Sequence, residues 1–310
     1  VSPVTCPACG GAVTHWRDVP AAEPALAGRV FELLRCPDCG SAVTGGDEVA
    51  GLHDAGSYDA AAPRGARLAA PLLARFDAAR VARVAGACPP PADLVDAGAG
   101  RGRFVAAATA AGYRAHGVEP AGARAAVAQA HGLDVAATTI EAADIAPASL
   151  DAVTLWHVLE HVDDPGSALA AIAGWLRPGG VLLVGVPNLG SWQARLGGAR
   201  WYHLDVPRHR THFTTGGLAT LLAAHGFTVE RTDHLLLEHN PFGMWQSLVN
   251  RVTATPSYLF NLLKRAVPLR PGQLAVSLLA LPLVPVAALL EFAAGLLQRG
   301  GTVAVLTRRA

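Results

Sequence analysis

The sequence predicts an α/β domain built on a parallel sheet with helices on both faces. Three observations predict it. Short apolar runs alternate with alanine-rich stretches of helical period, a glycine-rich turn joins one such run to the helix that follows, and the run Pro89-Pro90-Pro91 marks where this rhythm begins. The strand-like runs are 93–97, 115–119, 151–156 and 181–186, with helices expected over 102–111, 121–131 and 166–177. A further strand-like run at 302–307 follows a long apolar stretch broken by prolines, 242–300.

The length of 310 residues suits two domains. With 51% hydrophobic and 16% charged residues the chain cannot be disordered, and a mean hydropathy of +0.31 raises membrane contact or an apolar substrate as an expectation. A formal net charge of +1 implies no bulk attraction to nucleic acid, and no nucleic-acid partner is expected. All but one of the 25 basic residues are arginine, the exception being Lys264.

Four of the five cysteines fall into two like units, Cys6-Pro7-Ala8-Cys9-Gly10 and Cys36-Pro37-Asp38-Cys39-Gly40. Paired thiols in this pattern point to a metal in a reducing compartment, not to disulfides. Each pair bends the backbone around one ion, and two pairs supply a tetrahedral sulfur set suited to zinc. Iron is the rival metal, although only Trp16 and Phe31 lie between the pairs to build the aromatic core of a rubredoxin. Residues 1–50 therefore look like a structural zinc ribbon held by Cys6, Cys9, Cys36 and Cys39, with Cys88 an ordinary thiol. Residues 51–90 read as a helical linker or cofactor lid, and 91–310 as the main domain with the 242–300 insertion. The first ten residues hold no apolar signal core, so a cytoplasmic location is expected.

The turn runs Asp96-Ala97-Gly98-Ala99-Gly100-Arg101-Gly102. Glycines allow backbone to approach a ligand, and the helix beyond offers free amides. The third glycine comes two residues after the second, whereas the dinucleotide fingerprint places it three after. The next strand ends in Gly117-Val118-Glu119-Pro120, an acid placed to take two ribose hydroxyls.

This turn resembles motif I of the class I S-adenosylmethionine-dependent methyltransferases. Asp151 to Val162 looks like their fourth strand and turn, and Leu176-Arg177-Pro178-Gly179-Gly180 looks like their entry to the fifth. Pro187-Asn188 and Asp205-Val206-Pro207-Arg208-His209-Arg210-Thr211-His212-Phe213-Thr214 are similar to a subgroup related to ubiquinone-biosynthesis O-methyltransferases. The resemblance implies a Rossmann-like seven-stranded methyltransferase sheet. It implies S-adenosylmethionine held by Asp96, Gly98, Gly100, Gly102 and Glu119, with Ile140, Glu141 and Trp156 bordering the site. A hydroxyl acceptor also needs a base, for which His161 stands first and His209 second among the histidines of the substrate-facing loops.

Residues 274–290 carry no charge and border on the length of a membrane span, but Pro282, Pro285 and the need of 302–307 to return to the sheet argue against a crossing. An interfacial segment at the inner face of the membrane, a substrate lid and a plain buried helix pair remain open. The leading functional reading is O-methylation of an apolar or lipid-linked small molecule. The alternatives are C- or N-methylation of a sugar or secondary metabolite, and a non-catalytic adaptor that binds a partner through the ribbon.

Overall fold

The computed structural model describes residues 5–46, 49, 52, 66–264 and 266–310. Residues 51 and 53–65 of the expected linker, and Arg265, lie outside the described residues. In chain order the elements begin with β1 Thr14–Pro20, β2 Val30–Arg35, β3 Ala42–Thr44, α1 Ala66–Ala85, β4 Asp93–Ala97 and α2 Arg103–Ala110. They continue with β5 Arg114–Val118, α3 Gly122–Ala130, β6 Val135–Ala136, β7 Leu150–Trp156, α4 Pro165–Trp175, β8 Leu176–Pro187 and α5 Trp192–Gly197. Next come β9 Thr211–His212, α6 Thr215–Ala224, β10 Phe227–Asp233, α7 Asn240–Val249, α8 Tyr258–Leu263, α9 Pro271–Leu279, α10 Val284–Leu296 and β11 Thr302–Arg309.

Two compact units share this chain. The first gathers the described residues before 65 with Pro187–Leu218 and Asp233–Val303; the second gathers those of Gly65–Val186 with Ala219–Thr232 and Ala304–Ala310.

The second unit carries a seven-stranded sheet of order β10-β11-β8-β7-β4-β5-β6. β4 pairs in parallel with β5 on one side and β7 on the other, and β5–β6 and β7–β8 are parallel as well. The central strands are buried along almost their whole length, as strands covered by helices on both faces must be. The strand order reverses at β4, and the carboxyl end of the strand at such a reversal is where open α/β sheets place their ligands. That is where the glycine turn stands.

Local chemistry fixes the helices of this sheet. α4 begins at Pro165, with Asp164 accepting the Ser167 amide at 3.1 Å as its cap. It ends at Trp175, two residues before the expected 177, because Leu176 is extended, fully buried and paired with Leu150 at the start of β8. β11 begins at the expected Thr302 and runs on to Arg309, lying between β8 and β10; Arg308 is tied to Glu230 of β10 at 2.6 Å.

The first unit holds an antiparallel sheet of order β1-β2-β3-β9 over a core of Val19, Phe31, Leu33, Trp201, Leu204 and Val206. A second cluster joins Met244, Trp245 and Val249 of α7 to Ala287 of α10. α7, α8, α9 and α10 are the apolar helical insertion expected before the last strand.

Candidate cofactor site and metal centre

The turn after β4 is built by three left-handed glycines, with φ of +80° at Gly98, +57° at Gly100 and +77° at Gly102. A Cβ at Gly98 would stand 2.2 Å from Val158 Cγ2, and one at Gly102 would stand 2.5 Å from Leu133 Cδ1. At Gly100 an added Cβ would meet no atom of the described residues within 4 Å. The turn hangs on the end of β5, the Val118 carbonyl accepting the amides of Gly98 and Ala99 at 2.7 and 3.0 Å. Glu119 is buried beside it and accepts the Gly100 amide at 2.8 Å and the Ala121 amide at 3.1 Å, with Arg124 at 3.6 Å.

Asp96, at the end of β4, accepts the Thr154 hydroxyl of β7 at 2.6 Å. Burial pushes its carboxyl up to about 6, against the opposing pull of the Arg80 guanidinium and the Thr154 hydroxyl. The next residues along β7 enclose the same region. Trp156 packs over Gly185, which has no room for a side chain, and Trp156 Nε1 is buried with no hydrogen-bond partner among the described residues. His157 adopts φ +56°, a strained conformation for a residue with a Cβ, and its Nδ1 lies 3.1 Å from Glu160 Oε1. Ile140 is buried in the loop after β6, whereas Glu141 beside it is exposed.

Two residues of this region carried no motif in the sequence. Asp77 of α1 is buried and pairs with Arg80 at 2.7 Å and with Arg103, the first residue of α2, at 2.7 Å. Arg80 in turn lies over the rings of Phe104 at 4.9 Å and Trp156 at 5.1 Å. An arginine-rich, alanine-rich stretch reads as a solvated helix face. The available hint was Asp77, the sole acid in 66–85. Arg103 is thus held in an ion pair, while Arg101 is exposed.

The two candidate bases stand in separate units. His161 is half-buried on the turn after β7, its amide donating to the Val158 carbonyl at 2.9 Å. His209 is buried; its Nδ1 lies 2.8 Å from the His203 carbonyl and so carries the proton, while Nε2 lies 3.9 Å from Asp205. Its neighbour His212 has another role. It belongs to β9, with Nε2 at 3.0 Å from the Thr44 hydroxyl, and burial lowers its pKa to about 4. Arg208 is buried between Glu23 and Asp205, so much of 205–214 serves as structure.

The four cysteine sulfurs lie within 4.8 Å of one another. Cys6 and Cys39 Sγ are 3.6 Å apart, and Cys9 and Cys36 Sγ 3.5 Å. Four sulfurs around a zinc at about 2.3 Å would be separated by about 3.8 Å, so the set fits that ion. The two knuckles match: Gly10 and Gly40 are left-handed, at φ +75° and +73°, and donate to the carbonyls of Cys6 and Cys36 at 2.8 and 3.0 Å.

A family model described as a methyltransferase domain matches residues 70–232, more than half of the chain. The chain belongs to the methyltransferase-domain family. Two curated relatives, both named ubiquinone biosynthesis O-methyltransferase, match part of it. The protein from Sodalis glossinidius is 35% identical over 109 residues, covering 34% of this chain and 43% of its own. That from Aeromonas salmonicida is 34% identical over 98 residues, covering 30% of this chain and 41% of its own. The chain thus spans less than half the length of the curated relatives it matches.

Two solved structures share the fold of the methyltransferase domain. A geranyl diphosphate methyltransferase has a TM-score of 0.51 at 17% identity, over 82% of this chain and 94% of its own. The [4+2]-cyclase SpnF has a TM-score of 0.50 at 17% identity, over 80% of this chain and 94% of its own. A fold shared by a transferase and a cyclase does not name the reaction, which must be argued from the site. The methyltransferase match includes the glycine turn, Glu119, Asp77 and His161; the four cysteines and α7 to α10 lie outside it.

Proposed function

We propose that the protein transfers a methyl group from S-adenosylmethionine to a hydroxyl oxygen of an apolar or lipid-linked small molecule. The observation that carries this reading is the junction of Gly98, Gly100 and Gly102 with Glu119 at the reversal of the strand order. Asp96 and the turn would hold the methionine end, Glu119 the ribose, and Ile140, Glu141 and Trp156 would border the remainder. The matched relatives, named as O-methyltransferases, support oxygen as the acceptor atom.

S-adenosylmethionine supplies an electrophilic methyl carbon on a sulfonium. The chain's part is to align the acceptor, exclude water and take the hydroxyl proton. His161 is the first choice for that proton and His209 the second, through the Nε2 left unprotonated by the Nδ1 contact to His203. The Cys6, Cys9, Cys36 and Cys39 set would hold a structural zinc, because four thiolates leave no position open for catalysis. The helical run Pro271–Leu296 would keep the enzyme at the inner face of the membrane without crossing it.

Calorimetric titration of the full chain with S-adenosylmethionine tests the reading. Glu119→Ala should weaken binding by about 1.5–3 kcal/mol through the loss of charge-assisted hydrogen bonds. Indifference of the wild type to S-adenosylmethionine, with binding of NAD instead, would overturn it. Product analysis showing a new C–CH3 or N–CH3 bond would move the acceptor atom to the C- or N-methylation alternative.

A further inference from the structure

Pro271–Leu296 is a 26-residue helical run whose most apolar 18-residue window has a mean hydropathy of 2.2, with only 11% of that window buried. Its faces invert the pattern of a core helix. The side turned inward carries Ser277, Ala287, Glu291 and Ala294, while Leu279 (80% exposed), Leu289 (69%) and Leu296 (63%) stand in the open. No charged residue lies between 271 and 297 except Glu291, which is buried. Soluble proteins rarely leave so continuous an apolar face uncovered.

The inward side is committed to protein. Glu291 accepts the Gly301 amide at 2.6 Å and the Gln193 side-chain amide at 2.8 Å, and Trp245 Nε1 donates to the Ala280 carbonyl at 2.8 Å. β11 then enters the seven-stranded sheet. A helix fixed along one side and followed at once by a sheet strand can offer lipid its outer face only.

Charge tells what covers that face. From His239 to Ala310 the sole acid is Glu291, whereas Arg251, Lys264, Arg265, Arg270 and Arg299 lie within 240–300. Arg270 directly precedes α9 and Arg299 follows α10; both are exposed, as is Arg251, and the Lys264 ammonium sits 4.3 Å over the Phe260 ring. An apolar strip whose exposed flanking charges along the chain are all cationic matches a surface with an apolar interior and anionic headgroups. It mismatches a second copy, whose equal charges would repel it in a two-fold contact.

We infer that the outer face of α9 and α10 docks in the plane of an anionic lipid bilayer, with Lys264, Arg270 and Arg299 against the headgroups and the leucines among the acyl chains. This deepens the proposed membrane location and is independent of the methyl-transfer chemistry.

The test is sedimentation of the full chain with vesicles of phosphatidylcholine alone and of an equimolar mixture with phosphatidylglycerol. The wild type should sediment with the mixed vesicles, and less so as salt rises. Lys264→Glu/Arg270→Glu should weaken that binding by about tenfold or more. Leu279→Glu/Leu289→Glu should abolish it, and because both leucines are exposed, that variant should keep the wild-type unfolding temperature. Equal binding to both vesicle types would overturn the anionic preference. No binding to either, with a concentration-dependent dimer by light scattering, would assign the face to a second copy. Calorimetry with S-adenosylmethionine on the same samples separates this outcome from failure of the methyl-transfer reading.

Discussion

Replacing Gly98 by alanine tests the geometry of the glycine turn. The φ of +80° asks an alanine to adopt the left-handed region, at a cost of about 1–2 kcal/mol. The new Cβ would also lie 2.2 Å from Val158 Cγ2 and 3.0 Å from Cγ1, and such overpacking costs about 1–3 kcal/mol more. Gly98→Ala should therefore destabilise the fold by about 2–5 kcal/mol in urea unfolding. Val158 follows Trp156 and His157 on one turn, so relieving the clash displaces that turn, and affinity for S-adenosylmethionine should fall in calorimetry. Gly98→Ala/Val158→Ala separates the two costs: the steric part should return as a coupling of about 1–3 kcal/mol, while the backbone part remains. The reasoning is refuted if Gly98→Ala unfolds with the wild type, or if removing Val158 relieves nothing.

Glu291 gives a pH signature. Burial raises its carboxyl to about 7 from the ordinary 4.5, so its protonation stabilises the fold fully below pH 4.5, and that contribution is lost as pH rises through 7. The loss amounts to about 3 kcal/mol, and Glu291→Gln should flatten urea midpoints measured between pH 5 and 8. Elemental analysis should find one zinc per chain, lost in Cys36→Ser; iron with a visible thiolate band would support the rubredoxin alternative instead. Asp77→Ala removes the acid shared by Arg80 and Arg103 and should cost about 3–5 kcal/mol in denaturant unfolding, together with cofactor affinity.

What the sequence revealed was what local periodicity and motif spacing can encode. β4 has the bounds expected of it, and the turn beyond it was legible glycine by glycine, because a left-handed backbone leaves a compositional mark. β6 has two residues, too few for any period to show. β10 lies at the sheet edge with only Phe227 fully buried, so its alternation was diluted by polar residues on both faces. Asp77 and Arg80 were invisible because a buried ion pair and a solvated helix face share one composition. The segment 205–214 was read as a loop facing substrate. The pairing of His212 with Ala42 and of Thr211 with Val43 joins residues too far apart in the chain for any local signal.

That pairing binds the second cysteine knuckle to the segment bearing His209. The Thr214 hydroxyl donates to the Cys39 carbonyl at 2.7 Å, the Ser41 hydroxyl accepts the Thr214 amide at 3.1 Å, and the Thr44 hydroxyl donates to the His209 carbonyl at 2.6 Å. Residues 36–44 and 209–214 form one cooperative patch, whose amides should open together in hydrogen exchange. If the four thiolates hold the proposed zinc, its loss would free the second knuckle and, through these three hydrogen bonds, loosen the backbone at His209, so that trace-metal availability would act as a rheostat on this part of the protein.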